Sequence, residues 1–192
     1  YDALGRKISL DDPDAGWREY TYNALGELVL QTDGEGNQIQ QWYDARGRVH
    51  HKATTGAGGV EEVAYDYVFD VAANGIGQLA EESVTGTYLA WQGQSGLGHN
   101  FVRTYSYDAM GRGLGTQTAI SGFDYFTAVE YDDLGRAYKS LDASGRWTKS
   151  EYSPVNGQVM AVCDSDAVDQ EATCPTAAST HVRKRRVTTP ST

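Results

Sequence analysis

Short runs rich in β-branched and aromatic residues alternate with clusters of Asp, Asn and Gly along nearly the whole chain. Trp17 to Tyr22, Leu28 to Thr32, Gln38 to Tyr43, Phe101 to Tyr107, Gly115 to Ile120, Phe126 to Tyr131 and Trp147 to Tyr152 are such runs. At about 5–7 residues each has the usual length of a strand. None carries apolar positions at helical spacing over three turns. In the clusters, side-chain oxygens bond nearby backbone and glycine supplies positive φ at little cost, so they read as turns. The pattern predicts an all-β fold, an array of consecutive antiparallel β-hairpins.

The turns repeat. Tyr1-Asp2-Ala3-Leu4-Gly5-Arg6 recurs as Tyr22-Asn23-Ala24-Leu25-Gly26-Glu27 and Tyr43-Asp44-Ala45-Arg46-Gly47-Arg48. It returns as Tyr107-Asp108-Ala109-Met110-Gly111-Arg112, as Tyr131-Asp132-Asp133-Leu134-Gly135-Arg136, and in worn form as Tyr152-Ser153-Pro154-Val155-Asn156-Gly157. Tyr1, Tyr22 and Tyr43 stand 21 residues apart, as do Tyr131 and Tyr152; from Tyr107 to Tyr131 the step is 24. In the long gap, Phe69-Asp70 stands for Tyr-Asp, Asn74 to Leu79 forms an expanded turn, and Leu89 to Asn100 reads as an inserted loop. Weaker turn marks lie half a period away, at Asp11 to Gly16, Thr32 to Asn37 and Leu141 to Arg146. Two turns and two strands per period make each repeat one hairpin.

Each motif residue has an expected task. Tyrosine ends a strand, burying its ring while its hydroxyl reaches water or a neighbouring backbone group. Aspartate accepts from a backbone N–H two residues on, leucine tucks under the turn, and glycine takes the left-handed conformation. Arginine opens the return strand with a solvated head. Tyr20 and Tyr22 share a face, as do Tyr105 and Tyr107, so adjacent hairpins would align tyrosines into ladders. A sugar-stacking platform is the competing reading of the same rows.

Composition narrows the function classes. The 192 residues include 22 Gly, 13 Tyr and only 4 Pro, with 40% hydrophobic positions, enough to fold. The formal net charge of −10 excludes non-specific binding to nucleic acid or anionic membrane. No apolar run is long enough to insert in a bilayer as a helix. The chain opens in mid-motif and reads as an internal piece of a longer one. The expected organisation is a hairpin array over 1–162 with a loop inserted near 89–100, a Cys-bounded acidic loop over 163–174, and a final strand with a frayed terminus over 175–192.

Other constellations carry little chemistry. Cys163 and Cys174 could close a small loop by a disulfide or remain free thiols, according to compartment. The carboxylates between them, Asp164, Asp166, Asp169 and Glu171, lack the spacing and central glycine of an EF-hand and read as a solvated loop. His50 and His51 point to opposite faces of a strand, and neither they nor His99 and His181 have metal-ligand spacing. Arg183 to Arg186 reads as charge guarding a strand edge. No nucleophile elbow or phosphate loop occurs. No catalytic residue, metal or cofactor is expected, and the chain is read as not an enzyme.

The repeated Tyr-Asp-Ala-Leu-Gly-Arg unit with its half-period turn resembles the RHS or YD-repeat family, which includes polymorphic toxins, Tc toxin B and C components, wall-associated proteins and teneurins. The resemblance implies a sheet that spirals into a hollow shell around a toxic C-terminal domain, in a bacterial protein that is secreted or displayed at the cell surface. It implies structural roles for Tyr1, Asp2, Gly5, Arg6, Tyr22, Gly26, Tyr43, Asp44, Gly47, Arg48, Tyr107, Asp108, Gly111, Arg112, Tyr131, Asp132, Gly135 and Arg136. Partners would be the remaining repeats, the plug and the toxin domain of the parent protein. The family's plug, with its Asp-Pro-x-Gly-like motif, is not found in this stretch, which would be wall only. An extracellular adhesion or carbohydrate-binding module, stacking glycans on Trp17, Trp42, Trp91 or Trp147, is the alternative.

Overall fold

The computed structural model describes residues 1–14, 16–86 and 100–164. Among them there is no helix. Thirteen strands form one antiparallel sheet whose spatial order is the chain order, so each strand pairs only with its sequence neighbours. The first six are β1 (Ser9–Asp12), β2 (Gly16–Tyr22), β3 (Leu28–Asp33), β4 (Gln38–Tyr43), β5 (Val49–Thr55) and β6 (Glu61–Phe69). There follow β7 (Leu79–Gly86), β8 (Phe101–Tyr107), β9 (Gly113–Ile120), β10 (Phe123–Tyr131), β11 (Ala137–Leu141), β12 (Trp147–Tyr152) and β13 (Val159–Asp164). The predicted all-β hairpin array is the observed architecture.

The meander follows from the turn chemistry. In the motif turn, Asp2 N–H donates to the Arg6 carbonyl and Gly5 N–H to the Asp2 carbonyl, and the same pair of bonds recurs at Asp44, Asp108 and Asp132. The half-period turns at Asp33 and Asp142 have it too, as does Gly56. Both classes of mark are therefore the same tight hairpin, closed by a glycine with φ near +80°. At every motif turn after the first, the register slips at the tyrosine position: Tyr22, Tyr43, Phe69, Tyr107, Tyr131 and Tyr152 each follow a bulge. Bulges add twist and re-aim a side chain, and at these motif turns the side chain re-aimed is the motif aromatic; a further bulge lies at Thr55.

Among the described residues no second layer covers the sheet. Among the described residues the buried apolar positions are Ala53, Ala64, Ala80 and Cys163, all small. Alternation is clear nonetheless: in β8, Phe101, Arg103, Tyr105 and Tyr107 are half-buried while Val102, Thr104 and Ser106 are exposed. Cross-strand rows supply what packing there is, as in Tyr65–Val84–Phe101–Ile120–Phe123 across β6 to β10.

Several expectations change. The motif leucines do not tuck under their turns: Leu4, Leu25 and Leu134 are 79%, 85% and 76% exposed. The turn is closed by backbone and aspartate bonds, and among the described residues there is one sheet layer and no second one to receive a leucine. β9 begins earlier than expected, at Gly113, where it pairs with Tyr107 of β8; β10 begins earlier, at Phe123, because Ser121 and Gly122 both take positive φ and join it to β9 by a two-residue hairpin. β13 runs through Cys163 to Asp164, past the expected array boundary at 162. The inserted loop near 89–100 lies outside the described residues except for Asn100, and so do residues 165–192, including Cys174 and the basic run.

Candidate functional site: the clasp between repeats

The recurrent side chains meet one another. Asp2 Oδ1 accepts from the backbone N–H of Leu4 and of Arg6, both at 2.9 Å, while its Oδ2 accepts from Arg6 Nε at 2.6 Å. The pattern repeats at Asp44 with Arg48, at Asp108 with Arg112 and at Asp132 with Arg136, with Nε to Oδ2 distances of 2.8, 2.7 and 2.7 Å. One carboxylate thus closes the turn with one oxygen and orients a guanidinium with the other. These bonds hold the carboxyls below the usual aspartate range. For Asp2, Asp44 and Asp108 the largest cause is the backbone N–H of the following arginine. For Asp132 it is the Arg136 side chain.

Each oriented arginine then reaches the next repeat. Arg6 lies over the ring of Tyr22 at 4.8 Å, Arg48 over Phe69 at 4.2 Å, Arg112 over Tyr131 at 4.2 Å and Arg136 over Tyr152 at 4.3 Å. Such cation–π contacts contribute about 0.5–1 kcal/mol when exposed and more when desolvated. The arginine heads are therefore not solvated as expected: 24–32% of each side chain is exposed. Nor do the tyrosines form ring-on-ring ladders. The aromatic pair among the described residues is Trp42 with His51, whose Nδ1 lies 2.6 Å from Asp66 Oδ1. At these four junctions a guanidinium of one repeat lies on an aromatic ring of the next, where the bulge sets that ring against the preceding turn.

The tyrosine hydroxyl makes the second contact. Tyr22, Tyr43, Tyr107, Tyr131 and Tyr152 donate to the carbonyls of Lys7, Leu28, Leu79, Gly113 and Ala137, at 2.6–2.8 Å. Each acceptor stands one residue after the arginine position of the preceding turn. Where Glu27 or Gln78 replaces arginine, the hydroxyl bond remains. Where Phe69 replaces tyrosine, the stack remains and Arg48 also pairs with Asp70 at 2.6 Å. Every junction keeps at least one contact. Tyr1, with no repeat before it among these residues, is 78% exposed.

The copy at Tyr22, which looks worn in sequence, is an inversion. Asn23 Oδ1 accepts from the N–H of Leu25 and Glu27, and its Nδ2 donates to Glu27 Oε2 at 2.7 Å. Donor and acceptor have exchanged ends. Burial, with Glu27 nearby, raises the Tyr43 hydroxyl above the usual tyrosine range. The expanded turn holds Asp70 at φ +70°, braced by Arg46, Arg48 and the Gly77 N–H, and its carboxyl is pulled down to about 2, chiefly by Arg48.

Motif glycines have a steric task besides their φ. A Cβ built at Gly135 would stand 2.9 Å from Arg112 Nη1, and one at Gly47 would stand 3.1 Å from Glu27 Oε1. The reaching side chain of one repeat lies against the turn glycine of the next, a contact that no propensity argument shows.

Elsewhere, a polar hollow of about 510 Å³ is lined by Arg18, Asp33, Asn37, Thr54 and Glu62 among others, with Arg18 Nε buried and unpartnered. Among the described residues no group of His, Cys, Asp and Glu could hold a metal ion, and no helix is long and apolar enough to cross a membrane. Cys163 is fully buried and disulfide-bonded. Trp17 and Trp42 are 46% and 37% exposed.

The family model described as RHS Repeat matches residues 1–38, the stretch holding the first two motif turns. The repeat is an RHS repeat. The same hydrogen-bond pattern continues through the later motif turns, and all of the described strands join one sheet. Among solved structures, the Tc holotoxin pore of Photorhabdus luminescens is similar over 90% of this chain, at 13% identity and a TM-score of 0.37. A TcdB2-TccC3 crystal structure is similar over the same share, at 13% identity and a TM-score of 0.38. This chain spans only 11% of the length of either. No curated protein matches it. Within the array the carboxylates of Asp2, Asp44, Asp108 and Asp132 are each engaged with the arginine of their own turn.

Proposed function

We propose that this run of RHS repeats is a wall segment of a shell that encapsulates a toxin or effector domain in a secreted or surface-delivered bacterial protein. The supporting observation is the clasp. Each repeat fastens the next by a stack, a hydroxyl bond or both, and the described residues form a single-layer sheet whose buried apolar positions are all small. Such a sheet extends by adding repeats, because each unit contacts only its neighbours. Its partners are then the remaining repeats, a plug and the C-terminal toxin domain of the parent protein.

Limited proteolysis of the full-length parent protein tests this reading. A C-terminal domain protected in the intact protein, and digested once Arg112→Ala and Tyr131→Phe loosen the wall, is the expected result. A C-terminal domain equally accessible in both would overturn encapsulation. Half-exposed Trp17 and Trp42 favour glycan binding as a second reading. Retained glycan-array binding in Trp17→Ala and Trp42→Ala variants would remove it.

A further inference from the structure

The chain holds two Asn–Gly steps, Asn74–Gly75 in the expanded turn and Asn156–Gly157 between β12 and β13. At such a step the glycine nitrogen can attack the asparagine side-chain amide, because glycine has no Cβ to bar the approach. The reaction needs room for the glycine backbone to swing toward the asparagine Cγ. It is helped by a donor facing the amide oxygen, where negative charge develops.

The two turns differ on both counts. Gly75 is buried, and a Cβ built on it would stand 2.9 Å from Ala72 Cβ and 3.0 Å from a ring carbon of Tyr107. Asn74 sits at φ +59°, with its Nδ2 donating to the Tyr107 carbonyl at 3.4 Å. Val155, Asn156 and Gly157 are all exposed, and a Cβ at Gly157 would meet only the far end of a flexible side chain, Arg136 Nη1 at 3.5 Å. Asn156 Oδ1 already accepts from Gln158 N–H at 3.1 Å. The turn is also one residue longer than the Asp132 turn, since Ser153 N–H reaches the Gln158 carbonyl where Asp132 N–H reaches that of Arg136. Both glycine N–H groups donate to a carbonyl of their own turn, at 3.0 and 2.9 Å, so that bond does not separate them.

We propose that Asn156 is a site of spontaneous deamidation, and that the fold protects Asn74 from the same reaction. The Gly157 nitrogen bonds to Asn156 Cγ and gives up its proton to solvent base. The bond from Cγ to Nδ2 then breaks, and ammonia leaves. Water opens the cyclic imide at either carbonyl, giving aspartate or isoaspartate with no change of oxidation state. Either product adds a negative charge to the turn that Arg136 reaches across Tyr152. The isoaspartyl form also lengthens the backbone by a methylene where β12 and β13 are joined.

The test incubates the whole chain in mildly alkaline buffer, once folded and once in urea, and follows both steps by peptide mass spectrometry. Conversion makes a peptide one dalton heavier, and the Asn156→Asp chain supplies the elution standard that separates aspartyl from isoaspartyl product. In the folded chain Asn156 should convert at least about tenfold faster than Asn74. In urea the two rates should converge, because Tyr107 and Ala72 no longer confine Gly75. Equal rates in the folded chain overturn the proposal, as does an Asn156 slowed by folding as much as Asn74. A difference that persists in urea overturns it too, by assigning the selectivity to the flanking residues.

Discussion

Arg112 of one repeat lies over the ring of Tyr131 in the next, 4.2 Å from its centroid, while the Tyr131 hydroxyl donates to the Gly113 carbonyl at 2.8 Å. The two contacts join the same pair of turns, so their energies should couple.

Tyr131→Phe removes the bond and keeps the ring, and should cost about 0.5–1.5 kcal/mol. Arg112→Ala removes the stack and the Asp108 partner and should cost about 1–2 kcal/mol. Urea denaturation of the singles and the double gives the coupling. An unchanged Tyr131→Phe midpoint would show that the hydroxyl exchanges its carbonyl for water at no cost.

Gly135→Val should destabilise more than Gly111→Val. Both sit at φ near +75°, where a β-branched residue is strained by at least about 1–2 kcal/mol. Gly135 also faces Arg112 Nη1, whereas the nearest atom to a Cβ at Gly111 is the Asn74 carbonyl oxygen at 3.8 Å. Equal melting temperatures for the two variants would remove the steric part of the account.

Acid should loosen the array. The motif carboxyls are depressed in the folded state, so their contribution is fully present above the ordinary aspartate value of 3.8 and lost as pH falls through the folded values. For Asp70 the window runs from 3.8 down to about 2. Urea midpoints between pH 6 and roughly 2 should fall, and Asp70→Asn should flatten part of that slope. The same slope in the variant would remove Asp70 from the account.

The inverted copy predicts a rescue. Glu27→Arg alone sets a guanidinium against the Asn23 amide donor that now serves Glu27. Adding Asn23→Asp restores the Asp–Arg pairing and places a cation beside Tyr43. The double variant should exceed the sum of the singles by about 0.5–1 kcal/mol in unfolding free energy. Strict additivity would mean that the two residues do not act as a pair.

Much of this was legible in the chain. Asp2, Asp44, Asp108 and Asp132 announce turns because an aspartate bonds N–H groups a few residues away, a local event that needs no tertiary context. The clasp was not legible. Arg112 and Tyr131 stand 19 residues apart, and their meeting depends on a bulge at Tyr131 that no single residue type signals. Leu4 and Leu134 misled for the same reason: an apolar residue suggests burial, but only a second layer could bury it. Asn23 and Glu27 look like decay until their amide and carboxylate are seen to have exchanged roles.

The sequence by itself determined the repeat, the hairpin period and the all-β class, because turns and strand alternation are set by forces acting within a few residues. The tertiary structure alone decided that arginine reaches the next tyrosine, that the described strands form one layer, and that β10 runs past the end of β11. Those depend on register and on the lengths of neighbouring strands, which are properties of pairing and not of any one segment.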